Sequence, residues 1–476
     1  MSVLDHLRAR AVTAPAATLL VDRTGDWSAA RLWSRVQEIA DDLVAAGAQR
    51  VSSTLDNGGE AVALDLALRR IGAVHLPLPG FFTAAQVAHA QRSAGADTHV
   101  RPRADGGLVL NPIAVETRPA VPAATALITY TSGSTGAPKG VCLSAEHLDG
   151  VSGAIVDALA GHTPRRHLAV LPLSVLLEQV AGVYAALLAG ATVVLPPLAD
   201  TGLTGAAQLD PMRLAACIDS HRPESLILVP QMLQAWAGAL AAGAHAPDSL
   251  RFVAVGGARV GSQLLAAAQA RGLPVFEGYG LSECGSVVCL NRPGASRAGT
   301  VGRALGQARV SVDADGEILV DGPCFLGYLG DAQPPVGSYR TGDLGAIDAD
   351  GHVSISGRRR NVFITAFGRN VSPEWVESEL TQHPLIAQAV VQGEARAWNC
   401  AVIVPRRADA SADQVQAAID EVNRGLPDYA RVSRHLRAAE PFTPANQMLT
   451  SNGRVRREAV LARHADAIES LYSTAQ

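Results

Sequence analysis

Cysteine is scarce in this chain and dispersed. Six stand in 476 residues, at Cys142, Cys217, Cys284, Cys289, Cys324 and Cys400, with no C-x-x-C pair among them. That spacing argues against a disulfide framework or a zinc site and favours reduced, buried thiols in a cytoplasmic protein. A strong charge of either sign is also missing. Forty basic residues against 44 acidic ones leave a formal charge of −4, so nothing overall points to nucleic acid or an acidic membrane as a partner. The opening stretch MSVLDHLRARAVTAPAA holds no continuous apolar core, and no leader is expected. One run of twenty residues, Val180 to Ala199, carries no charge. It reads as a buried helix (VAGVYAALLAG) and a buried strand (ATVVLPP) rather than a transmembrane segment, because Gly190 stands where a helix would end and Pro196-Pro197 close the strand.

What is there is a globular composition, 48% hydrophobic and 18% charged, in a chain long enough for two or three domains. Short β-branched runs (Leu127–Tyr130, Leu226–Val229, Phe252–Val255, Pro274–Phe276) alternate with helical stretches such as 213–220 and 263–271. Such alternation predicts parallel sheets with covered faces. From about Arg292 the texture turns to short strands punctuated by D-G turns, VSVDADGEILV and GSYRTGDLGAIDADGHVSISG, which predict hairpins and a small β-barrel-like unit. After Arg360 an α+β pattern follows, with helices expected at 373–381 and 412–424. The fold class is α/β: a large N-terminal domain of two α/β lobes with the small β unit, and then a small α+β C-terminal domain.

The most informative segment is YTSGSTGAPKG, residues 130–140. A strand feeds a loop of glycines and hydroxyls that ends in Lys139. Glycines let backbone N–H groups close around an anion, hydroxyls add donors and lysine adds charge. It is not the G-x-x-x-x-G-K-[ST] loop, since Gly140 follows the lysine, and an ordinary P-loop ATPase is excluded. Glu277-Gly-Tyr-Gly-Leu-Ser-Glu283 offers an aromatic face, a hydroxyl and a hard oxygen ligand within a few residues, a set suited to a magnesium nucleotide.

Together with Tyr339-Arg-Thr-Gly-Asp343, the stretch from Gly357-Arg358 to Pro373-Glu374 and the terminal Thr450-Ser-Asn-Gly-Arg454, these segments resemble, in order, the motifs of the adenylate-forming superfamily. That family holds acyl-CoA synthetases, peptide-synthetase adenylation domains and luciferases. The resemblance covers essentially the whole chain and implies two domains, 1–359 and 360–476, the second turning about a hinge near Arg360. It implies that Thr131, Ser132, Gly133, Ser134, Thr135 and Gly136 cradle phosphate, and that Gly257, Tyr279 and Gly280 contact the nucleotide. Asp343 and Arg358 would hold the ribose. Lys139, Ser282 and Glu283 would act on the phosphates, with Glu283 holding Mg²⁺. Arg454 stands where the family carries lysine, and Arg360 where it usually has Asp or Lys. Arginine keeps the charge but is longer, planar and forked. Arg358, Arg359, Arg360 and Arg369 also form a basic patch able to attract phosphates.

EGYGLSE and Leu171-Pro-Leu-Ser-Val-Leu-Leu-Glu178 resemble the fatty-acyl branch, with Val175 where many relatives place an aromatic or histidine gate. No acidic residue stands in 252–257 to receive an amino group, whose ammonium would be costly to bury unpaired. The implied activity is ATP-dependent conversion of an apolar carboxylic acid to an acyl-adenylate, then transfer to the thiol of coenzyme A or of a carrier protein's phosphopantetheine. Two alternatives stay open: an aryl-acid ligase, and an adenylate-fold protein that binds nucleotide with weak or no ligase activity.

Overall fold

The alternation read from the sequence is realised as two parallel-centred sheets. The structure, a computed structural model, describes residues 1–103, 106–131, 139–203, 205, 208–331, 336–450 and 453–473. It divides into two units: Met1–Gly257 with Gly272–Ser311 and Leu319–Tyr339, and Ala258–Arg271 with Val312–Ile318 and Arg340–Gln476.

Among the described residues the first unit holds a nine-stranded and a seven-stranded sheet. The parallel centre of the larger runs Val275–Tyr279, Phe252–Val255, Ser225–Leu228, Arg166–Leu168, Thr192–Leu195, Thr18–Asp22. That of the smaller runs Thr125–Thr131, Val74–Pro77, Arg50–Ser53, Thr98–Pro102. Both carry antiparallel strands at their edges. The strands are apolar because both faces are covered. Helix Ala29–Ala45, for example, is capped by Ser28 and buries Leu32, Val36, Ile39, Ala40 and Leu43, one helical stripe.

The uncharged run of 180–199 is interior. Glu178–Tyr184 is a π-helical turn, Ala185–Leu188 continues as α-helix, Gly190 takes φ +72°, and Thr192–Leu195 is a central strand. Among the described residues no helix is long and apolar enough to cross a membrane.

In the second unit the two D-G turns share one device. Asp313 Oδ1 accepts the N–H groups of Asp315 and Glu317, and Asp348 Oδ1 those of Asp350 and His352, while Gly316 and Gly351 take positive φ. Strand Tyr339–Ile347 pairs antiparallel with Val353–Arg358. Beyond them lies a three-stranded sheet of Ile386–Gln392, Asn399–Pro405 and Val432–Arg437. Its middle strand shows period-two burial on both sides. Ala401 and Ile403 join the core under helices Pro373–Gln382 and Ala412–Asn423, while Cys400, Val402 and Val404 join the one formed with Phe442, Val460 and Ile468.

Candidate active site

In the first unit, strands Thr125–Thr131 and Lys139–Ser144 pair antiparallel, with Thr131 opposite Lys139. Ser132, Gly133, Ser134, Thr135 and Gly136 lie outside the described residues. The ammonium of Lys139 stands 5.0 Å from the centroid of the Tyr328 ring, a cation–π distance. The Tyr328 hydroxyl donates to Glu283 Oε1 at 3.0 Å. Burial, with the Glu283 carboxylate nearby, pushes the Tyr328 phenol up to about 12. Burial and the same carboxylate also push the Tyr339 phenol upward. Phe325 packs edge-on against both rings, 4.8 and 5.6 Å away. The structure thus joins Lys139 and Glu283, far apart in sequence, through one phenol.

Glu283 is aimed by a tight turn. Strand Val275–Tyr279 is followed by Gly280, where a Cβ would overlap the Ser286 carbonyl, so only glycine allows the close crossing. Ser282–Cys284 forms one 3₁₀ turn closed by Gly285 at φ +74°. Strand Val275–Tyr279 runs three residues past the predicted Phe276, and its last two, Gly278 and Tyr279, lie opposite Leu290 and Cys289. Gly257, at φ +81°, follows the neighbouring strand Phe252–Val255. Beneath the turn His147 is buried against Gly285, and burial lowers its imidazole to about 4.

A magnesium ion fits this donor set only with help. Among the described residues no three His, Cys, Asp or Glu side chains cluster to hold a metal by themselves. The Glu283 carboxylate accepts the Tyr328 hydroxyl on Oε1, and its Oε2 would be the cation ligand. One carboxylate with phosphates and water completing the shell is how magnesium is commonly held.

The segment 171–178 is fixed from behind. Glu178 is fully buried, receives the Leu171 N–H at 3.0 Å and lies 2.8 Å from His167 Nε2, whose Nδ1 meets Ser225 Oγ at 3.0 Å. Gly182 leaves room for this, since a Cβ there would overlap Glu178. Asn57 adds bonds to the Leu171 carbonyl and the Leu173 N–H, at 2.9 and 3.0 Å. Val175 sits half-buried on the stretch so pinned.

In the second unit Asp343 and Arg358 face each other across the strand pair, and Arg358 Nε lies 2.7 Å from Asp343 Oδ1. The Asp343 side chain is 6% exposed, and its N–H is held by Thr341 Oγ1 at 3.0 Å. The expected basic patch is half neutralised. Arg358 is paired with Asp343, and Arg359 bridges Glu317 and Asp315 at 2.8 and 2.9 Å, so two of the four arginines carry carboxylate partners. Arg454 is exposed on a turn of its own, where Thr450 Oγ1 accepts its N–H at 3.0 Å and its carbonyl accepts the Thr450 N–H at 2.7 Å. Arg457, three residues on, turns inward to Glu377 and the Val391 carbonyl.

Sequence reasoning missed Tyr328, Phe325 and the Glu178–His167–Ser225 chain. For the aromatics a signal existed: with only seven tyrosines in the chain, Tyr279, Tyr328 and Tyr339 fall within some sixty residues. For the buried chain there was none.

The AMP-binding enzyme family model matches residues 105–329, and the AMP-binding enzyme C-terminal domain model matches residues 360–476. The long-chain-fatty-acid–CoA ligase FadD15 of Mycobacterium bovis is 32% identical over 252 residues, 47% of this chain and 42% of that protein. The chain therefore matches less than half the length of that relative. Among solved structures, the anthranilate CoA ligase AuaEII in complex with anthranoyl-AMP superposes with a TM-score of 0.81 at 18% identity, over 98% of each chain. The o-succinylbenzoate CoA synthetase of Bacillus subtilis with its acyl-adenylate gives 0.77 at 23% identity, over 96% of this chain and 97% of that one. These likenesses confirm the α/β class with a large N-terminal and a smaller C-terminal part. Matched by one model in its N-terminal part and by the other in its C-terminal part, the chain belongs to the AMP-binding enzymes of the adenylate-forming superfamily.

Proposed function

We propose that this protein is an AMP-forming acid–thiol ligase. It activates an apolar, fatty-acid-like carboxylate with ATP to an acyl-adenylate and passes the acyl group to the thiol of coenzyme A or of a carrier protein's phosphopantetheine. The observation that carries the reading is the Lys139–Tyr328–Glu283 cluster: one cation and one carboxylate suited to a cation, held at fixed places by the same phenol. Such preorganised charge is what phosphoryl chemistry asks of a protein. Magnesium supplies neutralisation of phosphate charge when bound. Ser282 and the 131–136 loop donate to phosphate oxygens, Tyr279 lies against the base, Asp343 accepts from the ribose with Arg358 fixing its carboxylate, and Arg454 brings a permanent positive charge to the carboxylate and α-phosphate. We take residues 1–359 and 360–476 as the two working domains, the second turning near Arg360. The six free thiols favour the cytoplasm as the compartment.

Fatty acid is preferred because residues 252–257 hold no acid and Phe252 stacks on Phe276 at 5.1 Å, and because the FadD15 relative is a long-chain-fatty-acid–CoA ligase. The aryl reading rests on the names of the structural neighbours, an anthranilate and a succinylbenzoate ligase. ATP–pyrophosphate exchange with a panel of aliphatic and aryl acids separates the two. ATP binding without exchange for any acid would leave a nucleotide-binding protein in place of a ligase.

A further inference from the structure

The sulfurs of Cys284 and Cys324 lie 3.7 Å apart, though forty residues separate them in sequence. Cys284 is buried at the end of the 3₁₀ turn that aims Glu283, and Cys324 is half-buried on the segment leading to Tyr328. The two backbones are already laced together. The Phe325 N–H donates to the Glu283 carbonyl at 2.6 Å, and the Tyr328 hydroxyl donates to the Glu283 side chain. Each of these residues neighbours one of the cysteines or lies within a turn of it.

We propose that Cys284 and Cys324 are a redox-responsive thiol pair that closes to a disulfide and thereby displaces the Glu283 turn. A disulfide needs sulfurs about 2 Å apart on backbones within about 7 Å of each other, and the Phe325 N–H bond to the Glu283 carbonyl, each residue adjacent to one of the cysteines, brings the two backbones into that range. The remaining approach is small, yet the turn it pulls on positions the carboxylate. The oxidant is a hydroperoxide. One of its oxygens passes to the half-exposed Cys324 sulfur as the O–O bond breaks, and an alcohol or water leaves. The Cys284 sulfur then forms the S–S bond as the S–O bond breaks, and the departing hydroxide takes the second thiol proton as water. The two thiols lose two electrons and two protons, and the hydroperoxide gains them. A transient, sensing disulfide is the kind that a reducing compartment tolerates.

The effect on catalysis rests on the proposed ligase reading, whereas the bond itself does not. The full-length protein is treated with tert-butyl hydroperoxide, its thiols are counted after denaturation, and its peptides are mapped by mass. The expected results are a fall from six titratable thiols to four and a linked pair of peptides bearing Cys284 and Cys324. ATP–pyrophosphate exchange should drop about tenfold, consistent with the loss of one well-placed interaction, and recover with dithiothreitol, while the exchange of Cys324→Ser should ignore the oxidant. Thermal stabilisation by Mg-ATP, read beside exchange, should shrink on oxidation and recover in parallel. Six thiols after oxidation, or a mixed modification of Cys324 alone, would overturn the pair. A linked pair with unchanged Mg-ATP stabilisation and exchange would overturn its hold on Glu283. If the reduced protein exchanges with no acid at all, the ligase reading fails, and the mass map and the Mg-ATP stabilisation still decide the thiol pair.

Discussion

Tyr328 and Glu283 form the joint of the first unit's site: the phenol donates to the carboxylate at 3.0 Å while its ring carries the Lys139 ammonium. Tyr328→Phe removes the first contact and keeps the ring. A hydrogen bond to a charged group contributes about 1.5–3 kcal/mol, so adenylation should fall at least about tenfold and half-saturation by magnesium should move to higher concentration. The melting temperature should fall by only a few degrees. Because the hydroxyl is pushed up to about 12, it remains a donor through neutral and mildly alkaline pH, and the wild-type rate should show no limb from it. Full activity with ordinary magnesium dependence in Tyr328→Phe would take this phenol out of the mechanism.

Asp343→Ala should weaken ATP binding by about 1.5–3 kcal/mol, the range for hydrogen bonds to a carboxylate. Calorimetry below the melting temperature reads this directly. The alanine also leaves Arg358 without the partner it holds at 2.7 Å, and Asp343→Asn keeps the shape while removing the charge. If both variants bind ATP as wild type does, Asp343 is only the strand's ion-pair partner for Arg358.

Local rules carried much of the fold. The helix at Pro373 starts on a proline at its first turn, and the helix after Ser411 on a capping box with Gln414, both readable in the sequence. The uncharged run of 180–199 was legible as interior because Gly190 and two prolines punctuate it. Residues 277–279 were not read as strand, since their glycine and charge suggest a loop, yet pairing with Cys289 and Leu290 overrides that preference. Motif order singled out Glu283, Asp343, Arg358 and Arg454, but not Tyr328 or His167. Tyr328 reaches Glu283 across 45 residues, and His167 reaches Ser225 across 58. Neither period nor spacing encodes such contacts, because the sheets, not the local chain, bring them together. The same holds for Arg359, which reads as a nucleotide-facing cation until its acids at 315 and 317 are seen.

His147 ties acid stability to the wall behind the Glu283 turn. Burial lowers its imidazole from 6.5 to about 4, so in this range the unfolded chain binds the proton more readily than the folded one. The stability it contributes is present above pH 6.5 and is lost as the pH falls towards 4. A shift of this size corresponds to about 3 kcal/mol. Denaturant unfolding at pH 7 and pH 4 should therefore show a larger acid loss for wild type than for His147→Leu, the carboxylates contributing equally to both. Identical losses would mean that the imidazole is hydrated in solution.

Arg454 separates the two halves of the proposed reaction. It is exposed at a turn closed on Thr450, and Arg457 is drawn inward by Glu377, so the residue does not belong to one solvated basic run. If its guanidinium serves the carboxylate and α-phosphate while the adenylate forms, Arg454→Ala should slow adenylation by about 100-fold, the loss typical of one transition-state donor. Thiolysis of a supplied acyl-adenylate should change little, because the C-terminal domain would have carried this turn away by then. Arginine stays charged at every working pH, so wild-type adenylation should lack an alkaline limb. Arg454→Lys should introduce one as the ammonium deprotonates near pH 10. The measurement is the pair of half-reaction rates for the Ala and Lys variants across pH. An unchanged adenylation rate in Arg454→Ala would make the residue part of the solvated surface. Equal losses in both halves would remove domain alternation from the mechanism, since a residue that serves both steps cannot be one that leaves between them.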